Sequence, residues 1–491
     1  MNITIETGLD KPALTHIRPV FQTDDLAEFL AAFGEKTNLP AEVLQRDFKA
    51  DLHEILPLYG PDGLKIYLLG LGKNPRPADV MLAFRKFFFA QKSRLPAQVS
   101  IDLHNLGSAA FATAIVLGVR AGGYDLKLYQ TDKPDGPVFY GEAGKLSLLT
   151  NEGDLEAAGA GLAYSEALAQ TQREMRDLGN MPANYKTPQT LADWAIASGQ
   201  KHGYAVTVFD RVEMERQGLL AVLSVNKGSD VPPRFIIMDY QPTGIKNPKI
   251  VGLVGKGITF DTGGISIKDS ANMHLMKSDM GGAAAVMGAV EVAAKLGLPV
   301  RVIGIVPTTE NMVDGKATKP GDVIGSYIGK TIEVIDTDAE GRIILADGLG
   351  YMVRNYQPDV LIDLATLTGS VIGALGYQAA GLFTQNDELA AQLTGSADAT
   401  GERLWRLPLW DAYKDDIKSD VADLKNYSGK PIAGAISAAK FLEVFTENHP
   451  AWAHLDIAGM AFGDNEFGTQ KNATGFGIQL LVDFMSSIER E

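Results

Sequence analysis

The segment KIVGLVGKGITFDTGGISIK, residues 249–268, contains the pattern that decides the fold. Its first part, KIVGLV, is a short continuous apolar run, which is typical of a strand buried on both faces of a sheet. The glycine-rich remainder carries Lys256, Asp261 and Lys268, and glycine permits tight turns and a close approach of the backbone to a ligand. Taken alone, these charges are as expected in an ordinary solvated connection. Their position after a buried strand is nevertheless where a doubly wound sheet binds its ligand.

Similar apolar runs alternate with helical patterns over the rest of the chain, which predicts an α/β fold with helices flanking the sheet. The C-terminal runs are AVTVFD (205–210), FIIMDY (235–240), VRVIGIVP (300–307), TIEVID (331–336) and DVLIDLATLTG (359–369). We expect them to form a mainly parallel, mixed sheet in a larger C-terminal domain, residues 186–491. LKIYLLGLG (64–72) and AQVSIDLHNL (97–106) predict a smaller N-terminal α/β domain over residues 1–150, and residues 151–185 predict a connecting helix and linker that ends in GNMPANYKTP.

The overall composition narrows the chemistry. The 491 residues include no cysteine, which excludes disulfides, thiolate zinc sites and cysteine nucleophiles and leaves oxygen and nitrogen as metal ligands. A formal charge of −15 disfavours binding to a nucleic-acid backbone. The sequence has no apolar segment long enough for a signal peptide core or a membrane span, so we expect a cytoplasmic protein without a membrane partner.

Further acidic residues occur at two other strand and helix boundaries. Asp279, in MKSDMGGAAA, precedes a helix of small residues and would by itself be interpreted as an N-cap. DTDAEGR, residues 336–342, follows an apolar strand and precedes a helix predicted to begin near Ile343. Carboxylates crowded at a buried edge repel one another unless cations are present. The pattern therefore suits a pair of divalent ions, which can activate water and polarise a carbonyl together.

The segments VGKGITFDTGG (254–264), MKSDMGGAAA (276–285) and DTDAEGR resemble the three signature segments of the leucyl (cytosol) aminopeptidases. The resemblance continues through NMPANYKTP, DLATLTG, ADLKN (422–426), AGAISAAKFL (433–442) and WAHLDIAGMAF (452–462), and so covers the chain from about residue 170 onward. The N-terminal part is similar only in general to the macro-domain-like N-terminal half of that family. The resemblance implies a metal-dependent aminopeptidase that releases Leu and other apolar residues from peptides with a free N-terminus.

The resemblance also implies a set of metal ligands. One ion would be bound by Lys256, Asp261, Asp279 and Glu340, and the other by Asp261, Asp338 and Glu340, with the main-chain carbonyl of Asp338 adding a contact. This donor set suits zinc or manganese, and magnesium or cobalt could substitute. Two departures from the family pattern, Asp336 in place of the usual Asn and Ile343 in place of Leu, remove no ligand.

Outside the metal ligands, the resemblance implies two catalytic residues and an apolar pocket. Lys268 would stabilise the developing oxyanion, and Arg342 would hold a bicarbonate ion that acts as general base. The pocket would be lined by Met276, Thr366, Leu367, Gly369 and Ala458. Because an apolar pocket separates similar aliphatic side chains by only about 1–3 kcal/mol, we expect broad specificity. The implied assembly is a homohexamer.

Two alternatives compete with this interpretation. A two-metal phosphoesterase would also use carboxylate-bridged ions, but its expected histidine ligands are missing from the three segments. A DNA-binding or regulatory role, reported for some members of the family, is disfavoured by the acidic charge. His104, His274 and His454 are dispersed and more consistent with structural functions, and neither GSYIGKT (325–331) nor Ser370 matches a nucleotide-binding or serine-hydrolase motif.

Overall fold

The computed structural model describes residues 1–8, 13–60, 63–104, 106–131, 136–463, 467 and 471–488, and only the backbone of residue 36. Residues 9–12 of the N-terminal segment and Asn105 of the predicted strand 97–106 therefore lie outside the described residues. The chain divides into two compact units, Met1–Gln170 and Thr171–Glu491. The division falls within one long helix, Leu155–Asn180. The domain limits predicted at residues 150 and 185 remain predictions.

The N-terminal unit is an α/β sheet covered by helices. Its sheet has the order β1-β6-β5-β2-β4-β3, in which all neighbours are parallel except β3 and β4. The elements are β1 Asn2–Thr7, β2 Thr15–Val20, α1 Leu26–Thr37, α2 Ala41–Asp47, β3 Ile55–Tyr59, β4 Lys65–Gly70, α3 Pro77–Gln91, β5 Gln98–Asp102, α4 Ala109–Gly122 and β6 Lys145–Thr150, followed by α5 Leu155–Asn180. Buried aromatic side chains of α3, including Phe84, Phe87 and Phe88, pack with the apolar residues of the strands to form the main core of this unit.

The C-terminal unit contains the larger sheet and the three signature segments. Its helices are α6 Pro188–His202, α7 Arg211–Gln217, α8 Leu220–Asn226, α9 Gly281–Leu296, α10 Glu340–Tyr356, α11 Gly369–Leu375, α12 Asp387–Thr400, α13 Gly434–Val444 and α14 Ile478–Ser487. Its strands are β7 Ala205–Phe209, β8 Arg234–Tyr240, β9 Ile250–Gly255, β10 Gly257–Asp261, β11 Arg301–Asn311, β12 Val323–Gly325, β13 Thr331–Glu333, β14 Val360–Ala365, β15 Ala380–Phe383, β16 Leu404–Arg406, β17 Leu424–Lys425, β18 Trp452–Asp456, β19 Phe462–Gly463 and β20 Asn472–Ala473. The unit also contains 3-10 turns, among them Met273–Ser278.

Among the described residues, nine strands form a mixed sheet in the order β16-β15-β18-β14-β9-β11-β8-β7, with β10 paired to β11. The central neighbours β18, β14, β9 and β11 are parallel, so their carboxyl ends lie at one edge of the sheet. The interior of β9, β11 and β14 is buried, as their continuous apolar sequences predict. The predicted α/β fold with a helix-flanked mixed sheet is confirmed.

Two sequence-based expectations about local structure are wrong. TIEVID does not join the large sheet: β13 covers only its first residues, pairs with β12 and β17, and forms a separate three-stranded sheet. In β13, half-buried and buried residues alternate, as in a strand that has only one face covered. The apolar sequence of TIEVID gave no sign that its other face is open. Helix α10 begins at Glu340 rather than near Ile343, so Glu340 lies in the first turn, where a helix stabilises negative charge.

Helix α9 packs against the carboxyl edge of the sheet through its small residues. A Cβ atom added to Gly282 would lie 2.0 Å from the main-chain oxygen of Leu364, so only glycine permits this approach of helix to strand. Every residue of the helix from Gly282 to Ala293 is buried. Within the described residues, no helix has both the length and the apolar character that crossing a membrane requires.

Candidate functional site

Lys256 lies between β9 and β10, at the carboxyl edge of the large sheet, and its side chain is 4% exposed. Its ammonium Nζ is 2.8 Å from Asp279 Oδ2 and 2.9 Å from Glu340 Oε1, and it donates a hydrogen bond of 3.0 Å to the main-chain oxygen of Thr366. The approach depends on Gly341, since a Cβ there would lie 2.5 Å from Lys256 Cε. The first and third signature segments therefore meet through this lysine.

Asp261 is the last residue of β10 and is held in one orientation by amide donors. Its Oδ1 accepts hydrogen bonds from the main-chain N–H of Gly263 at 2.9 Å and from Asn311 Nδ2 at 2.8 Å. Gly263 adopts a φ of +88°, which favours glycine in this turn. Asn311 Nδ2 also donates to the main-chain oxygen of Thr337 at 3.0 Å, so this amide links β11 to the segment that precedes α10.

Asp261, Asp338 and Glu340 form a cluster in which one carboxylate oxygen of each lies within 4.8 Å of the others. Lys268 Nζ contacts this cluster, at 2.8 Å from Asp261 Oδ2 and in an ion pair with Asp338 Oδ1. Glu340 is 1% exposed, and its Oε2 has no hydrogen-bond partner within the described residues. A buried carboxylate oxygen without a donor is costly. The arrangement fits a divalent cation, which would be bound by oxygen and amine donors.

The charges of the cluster perturb one another's pKa values. Burial raises the pKa of Glu340, of Asp338 and of Asp279, and the neighbouring Asp261 carboxylate raises all three further. Burial acts to lower the pKa of Lys256, but the surrounding carboxylates outweigh it and hold that pKa above its usual value. Perturbed groups concentrated at a sheet edge are typical of functional sites.

Asp279 does not cap helix α9. The N-cap residue is Met280, which makes no side-chain capping hydrogen bond, and Asp279 instead accepts a hydrogen bond of 2.7 Å from Thr366 Oγ1. Its other oxygen, Oδ2, faces Lys256. The interpretation of Asp279 as a simple N-cap is therefore wrong, because the tertiary structure brings β14 and the first signature segment to this side chain.

Arg342 lies in the first turn of α10 and is buried, with Nη1 donating to the main-chain oxygen of Asn426 at 2.9 Å. Its Nε has no partner within the described residues, and burial lowers its pKa. A buried guanidinium with a free N–H donor fits a bound anion. Its position at the N-terminal end of a helix adds to this preference for negative charge.

Asn426 is a residue of this site that sequence reasoning missed. Its side chain accepts hydrogen bonds from the N–H groups of Ile335 and Asp336 at 2.8 and 3.3 Å, and donates to the main-chain oxygens of Asp336 and Ala339. It is fully buried. ADLKN, which ends at Asn426, was part of the resemblance, but a single buried asparagine carries no sequence signal for its contacts.

The residues predicted to line an apolar pocket occupy neighbouring strand ends. Thr366 and Leu367 follow β14, Gly369 begins α11, and Ala458 follows β18, which is the parallel neighbour of β14. Leu367 and Ala458 are half-buried and pack against the same hydrophobic cluster. Met276 lies in the 3-10 turn Met273–Ser278, shortly before Asp279. A shared pocket formed by all five residues stays a prediction.

None of the predicted structural histidines belongs to the carboxylate cluster. His454 is buried in β18, with Nδ1 2.6 Å from Asp363 Oδ1. His104 contacts Asp102 in the N-terminal unit through a 2.5 Å approach of Nδ1 to Oδ1, and His274 is exposed. Within the described residues, the cluster thus consists of carboxylates and lysines.

The fold and the site together define a class, an α/β enzyme with a carboxylate and lysine centre at the carboxyl edge of a mixed sheet. Residues 173–482 match the model of the cytosol aminopeptidase family, catalytic domain. A probable cytosol aminopeptidase of Chlorobium limicola is 42% identical over 503 residues, which cover 99% of each chain. The chain belongs to the cytosol aminopeptidase family and is a hydrolase of the aminopeptidase type.

Solved structures agree with this assignment. A mutant of tomato leucine aminopeptidase is 31% identical with a TM-score of 0.87, and the match covers 99% of this chain and 96% of that one. The bottromycin maturation enzyme BotP in complex with Mn is also 31% identical, with a TM-score of 0.83 and coverage of 96% and 99%. The predicted membership of the leucyl aminopeptidase family is therefore confirmed.

Proposed function

We propose that this aminopeptidase uses two divalent ions to release Leu and other apolar residues from the free N-termini of peptides. The observation that supports it most is the cluster of Asp261, Asp338 and Glu340, in which buried Glu340 Oε2 has no protein donor within the described residues. These three residues are the predicted ligands of one ion. Asp279 and Lys256 complete the predicted ligands of the second ion. Lys256 contacts both Asp279 and Glu340, and it would bind the ion as a neutral amine.

The two ions would supply a water molecule of lowered pKa and would polarise the peptide carbonyl. Zinc or manganese suits the donor set, and magnesium or cobalt could substitute. The BotP relative, whose structure contains Mn, supports manganese as the first ion to test.

The remaining charged residues would act on the substrate. Lys268 holds an ammonium beside Asp261 and Asp338, where it would stabilise negative charge that develops on the carbonyl oxygen. Arg342, whose buried Nε faces no partner among the described residues, would hold a bicarbonate ion that accepts a proton. Met276, Thr366, Leu367, Gly369 and Ala458 would line the pocket for the apolar side chain.

The proposed assembly rests on the family resemblance alone, and the name cytosol aminopeptidase of the relatives supports the proposed location. We propose a cytoplasmic homohexamer that acts on peptides. Light scattering of the purified protein should give the mass of six chains, and the mass of one chain would contradict the proposed assembly. The relatives reported above are named as peptidases or a maturation enzyme, and none of these names supports the DNA-binding alternative.

The test removes metal with a chelator and then adds back manganese or zinc while cleavage of leucine p-nitroanilide and of its N-acetylated counterpart is measured. We expect metal to restore cleavage of the free-amine substrate only, and Glu340→Ala to abolish that restoration. Glu333→Ala is the matched control, because Glu333 is a half-buried glutamate of β13 that accepts a hydrogen bond from Ser419 outside the cluster. Equal cleavage of both substrates would contradict the requirement for a free amine. Full activity after chelation would contradict metal dependence.

A further inference from the structure

Asp456, the last residue of β18, is a completely buried carboxylate outside the proposed metal ligands. Its Oδ1 accepts hydrogen bonds from the main-chain N–H groups of Leu367 at 3.2 Å, Thr368 at 3.4 Å and Ala458 at 3.3 Å. Its Oδ2 accepts a hydrogen bond of 2.6 Å from Thr368 Oγ1. One side chain thus gathers four donors from two separate segments.

These donors belong to the two walls of the proposed pocket. Leu367 follows β14 and Ala458 follows β18, and the two strands are parallel neighbours in which Ala365 pairs with Asp456. Thr368 is the N-cap of α11, since its Oγ1 accepts a hydrogen bond from the N–H of Val371 at 3.1 Å. The carboxylate therefore also determines where Gly369, the first residue of that helix, lies.

The hydrogen bonds of Asp456 hold the ends of β14 and β18 together. Burial raises the pKa of Asp456, because the charged form loses its hydration. The nearby His454 and the hydrogen bonds from Thr368, Leu367 and Ala458 offset part of that cost. Without the carboxylate, the N–H groups at the two strand ends would lack acceptors in a buried site, and each unpaired group would destabilise the folded protein. The two walls can therefore move apart only by breaking several hydrogen bonds together.

We propose that Asp456 is a positioning residue that determines specificity, because it fixes the separation between Leu367 and Ala458 and so the width of the pocket for the N-terminal side chain. This inference rests on the proposed function, since it assigns the walls of the proposed pocket. Asp456 would not touch the reacting atoms. Its effect would appear as a change in which side chain is preferred.

The test compares kcat/KM of leucine and alanine p-nitroanilides for the metal-loaded wild type and for Asp456→Asn. The asparagine keeps the size of the side chain, but its NH2 group cannot accept the hydrogen bond from Thr368. We expect the ratio of kcat/KM for leucine to that for alanine to fall by about tenfold, the lower end of what a few buried methylene groups contribute to discrimination. The loss should be mainly a rise in KM for leucine.

Asp363→Asn is the matched control. Asp363 is an equally buried aspartate on the adjacent strand β14, but it contacts His454 and Trp452 instead of the pocket walls. This variant should keep the wild-type ratio even if the protein becomes less stable. If both variants shift the ratio equally, the effect reflects a loosened sheet and the inference fails.

A second pair of variants covers the case in which Asp456→Asn does not fold. Thr368→Val removes the hydroxyl that donates the shortest hydrogen bond, whereas Thr368→Ser retains it. We expect Thr368→Val to lower the leucine to alanine ratio and Thr368→Ser to preserve it. An unchanged leucine to alanine ratio in Asp456→Asn would overturn the inference. If Asp456→Asn does not fold, an unchanged ratio in Thr368→Val would overturn it instead. In either case, an active wild type leaves the proposed function intact. An inactive metal-loaded wild type would instead contradict the proposed function.

Discussion

Two buried carboxylates of the C-terminal unit, Asp363 and Glu340, differ in how many hydrogen-bond donors surround them. Both oxygens of Asp363 have donors, from His454 Nδ1 at 2.6 Å and from Trp452 Nε1 at 2.8 Å. Glu340, by contrast, shares Lys256 with Asp279 and leaves one buried oxygen without a hydrogen-bond donor in the described part of the chain. Asp363 has the donors that a structural carboxylate needs, whereas the unpaired oxygen of Glu340 is the observation behind the proposed cation site.

A related comparison can be made between two lysines, Lys295 and Lys186. Lys295 is paired with Glu291 at 2.6 Å and donates a hydrogen bond to Thr171 Oγ1 at 2.9 Å. Lys186 is fully buried and donates to the main-chain oxygen of Lys277, which lies in the turn that carries Met276. Lys295 is thus satisfied by two side chains, whereas the acceptor of Lys186 is a main-chain carbonyl.

The largest effect is expected for Glu340→Ala. Loss of this shared ligand should reduce metal-dependent cleavage of leucine p-nitroanilide by more than about a thousandfold, because the groups of such a centre act as a unit. Measurement of bound manganese should show that the variant has lost metal while its circular dichroism spectrum is retained. Retained activity at saturating manganese would remove Glu340 from the site and would break the comparison.

Next in size is the effect of Asp363→Ala on stability. The substitution leaves buried Trp452 Nε1 and His454 without their acceptor, and we expect the free energy of unfolding to fall by about 3 kcal/mol. Urea denaturation measures the change. Asp387→Ala, at an aspartate whose side chain is 89% exposed, is the control and should change stability by less than about 0.5 kcal/mol. If Asp363→Ala changed the free energy of unfolding as little as Asp387→Ala, the hydrogen bonds of Asp363 would contribute little to stability.

A smaller effect of opposite sign is expected for Lys186→Met. Burial lowers the pKa of Lys186 to about 7 from its ordinary 10.5, so folding must release a proton or bury a charge. Methionine avoids this cost, and we expect an increase in stability of about 2 kcal/mol at pH 7. Lys295→Met, which removes a fully paired lysine, should instead lower stability.

The sign of the pH dependence follows from linkage. Between pH 7 and 10.5 the unfolded chain holds a proton on Lys186 that the folded chain has lost, so this residue makes stability increase as pH rises through that window. Lys186→Met should remove this contribution in urea denaturation series at several pH values. An identical slope in the variant would show that the buried lysine is not neutral in the folded protein.

The smallest effect is expected for Asn426→Ala. Its side chain connects Ile335, Asp336 and Ala339 and so positions the segment that carries Asp338 and Glu340, and we expect manganese affinity to fall by roughly tenfold, as for other residues that orient metal ligands. Isothermal titration calorimetry measures the affinity. Asn355→Ala, at an exposed position of the same helix α10, should leave it unchanged. Unchanged binding in Asn426→Ala would restrict Asn426 to a structural function.

Sequence reasoning correctly predicted the buried strands, because the signal for each of them lies within one short segment. The apolar runs KIVGLV and VRVIGIVP predict buried strands, and DTDAEGR carries enough charged residues to indicate a site by itself. It failed where a residue depends on distant partners. The sequence alone predicts Asp279 as an N-cap, because its contacts with Thr366 and Lys256 appear only in the folded protein. It likewise predicts TIEVID as a strand of the large sheet, although that segment pairs with β12 and β17.

The sequence by itself determined the fold class and the family, because local hydrophobic pattern and short motifs are properties of neighbouring residues. The ligand residues that it suggests stay predictions. Only the tertiary structure decided which buried charges are satisfied. Glu340 stands in the charged segment DTDAEGR and Asp363 in an apolar run, but neither segment shows which donors reach its carboxylate. The donors of Asp363 are His454 and Trp452, which lie on a strand far away in the chain. In the same way, Leu367 and Thr368 donate to the distant Asp456. Hydrogen bonding depends on distance in space, so these contacts are settled only when β14 and β18 pair in the folded protein.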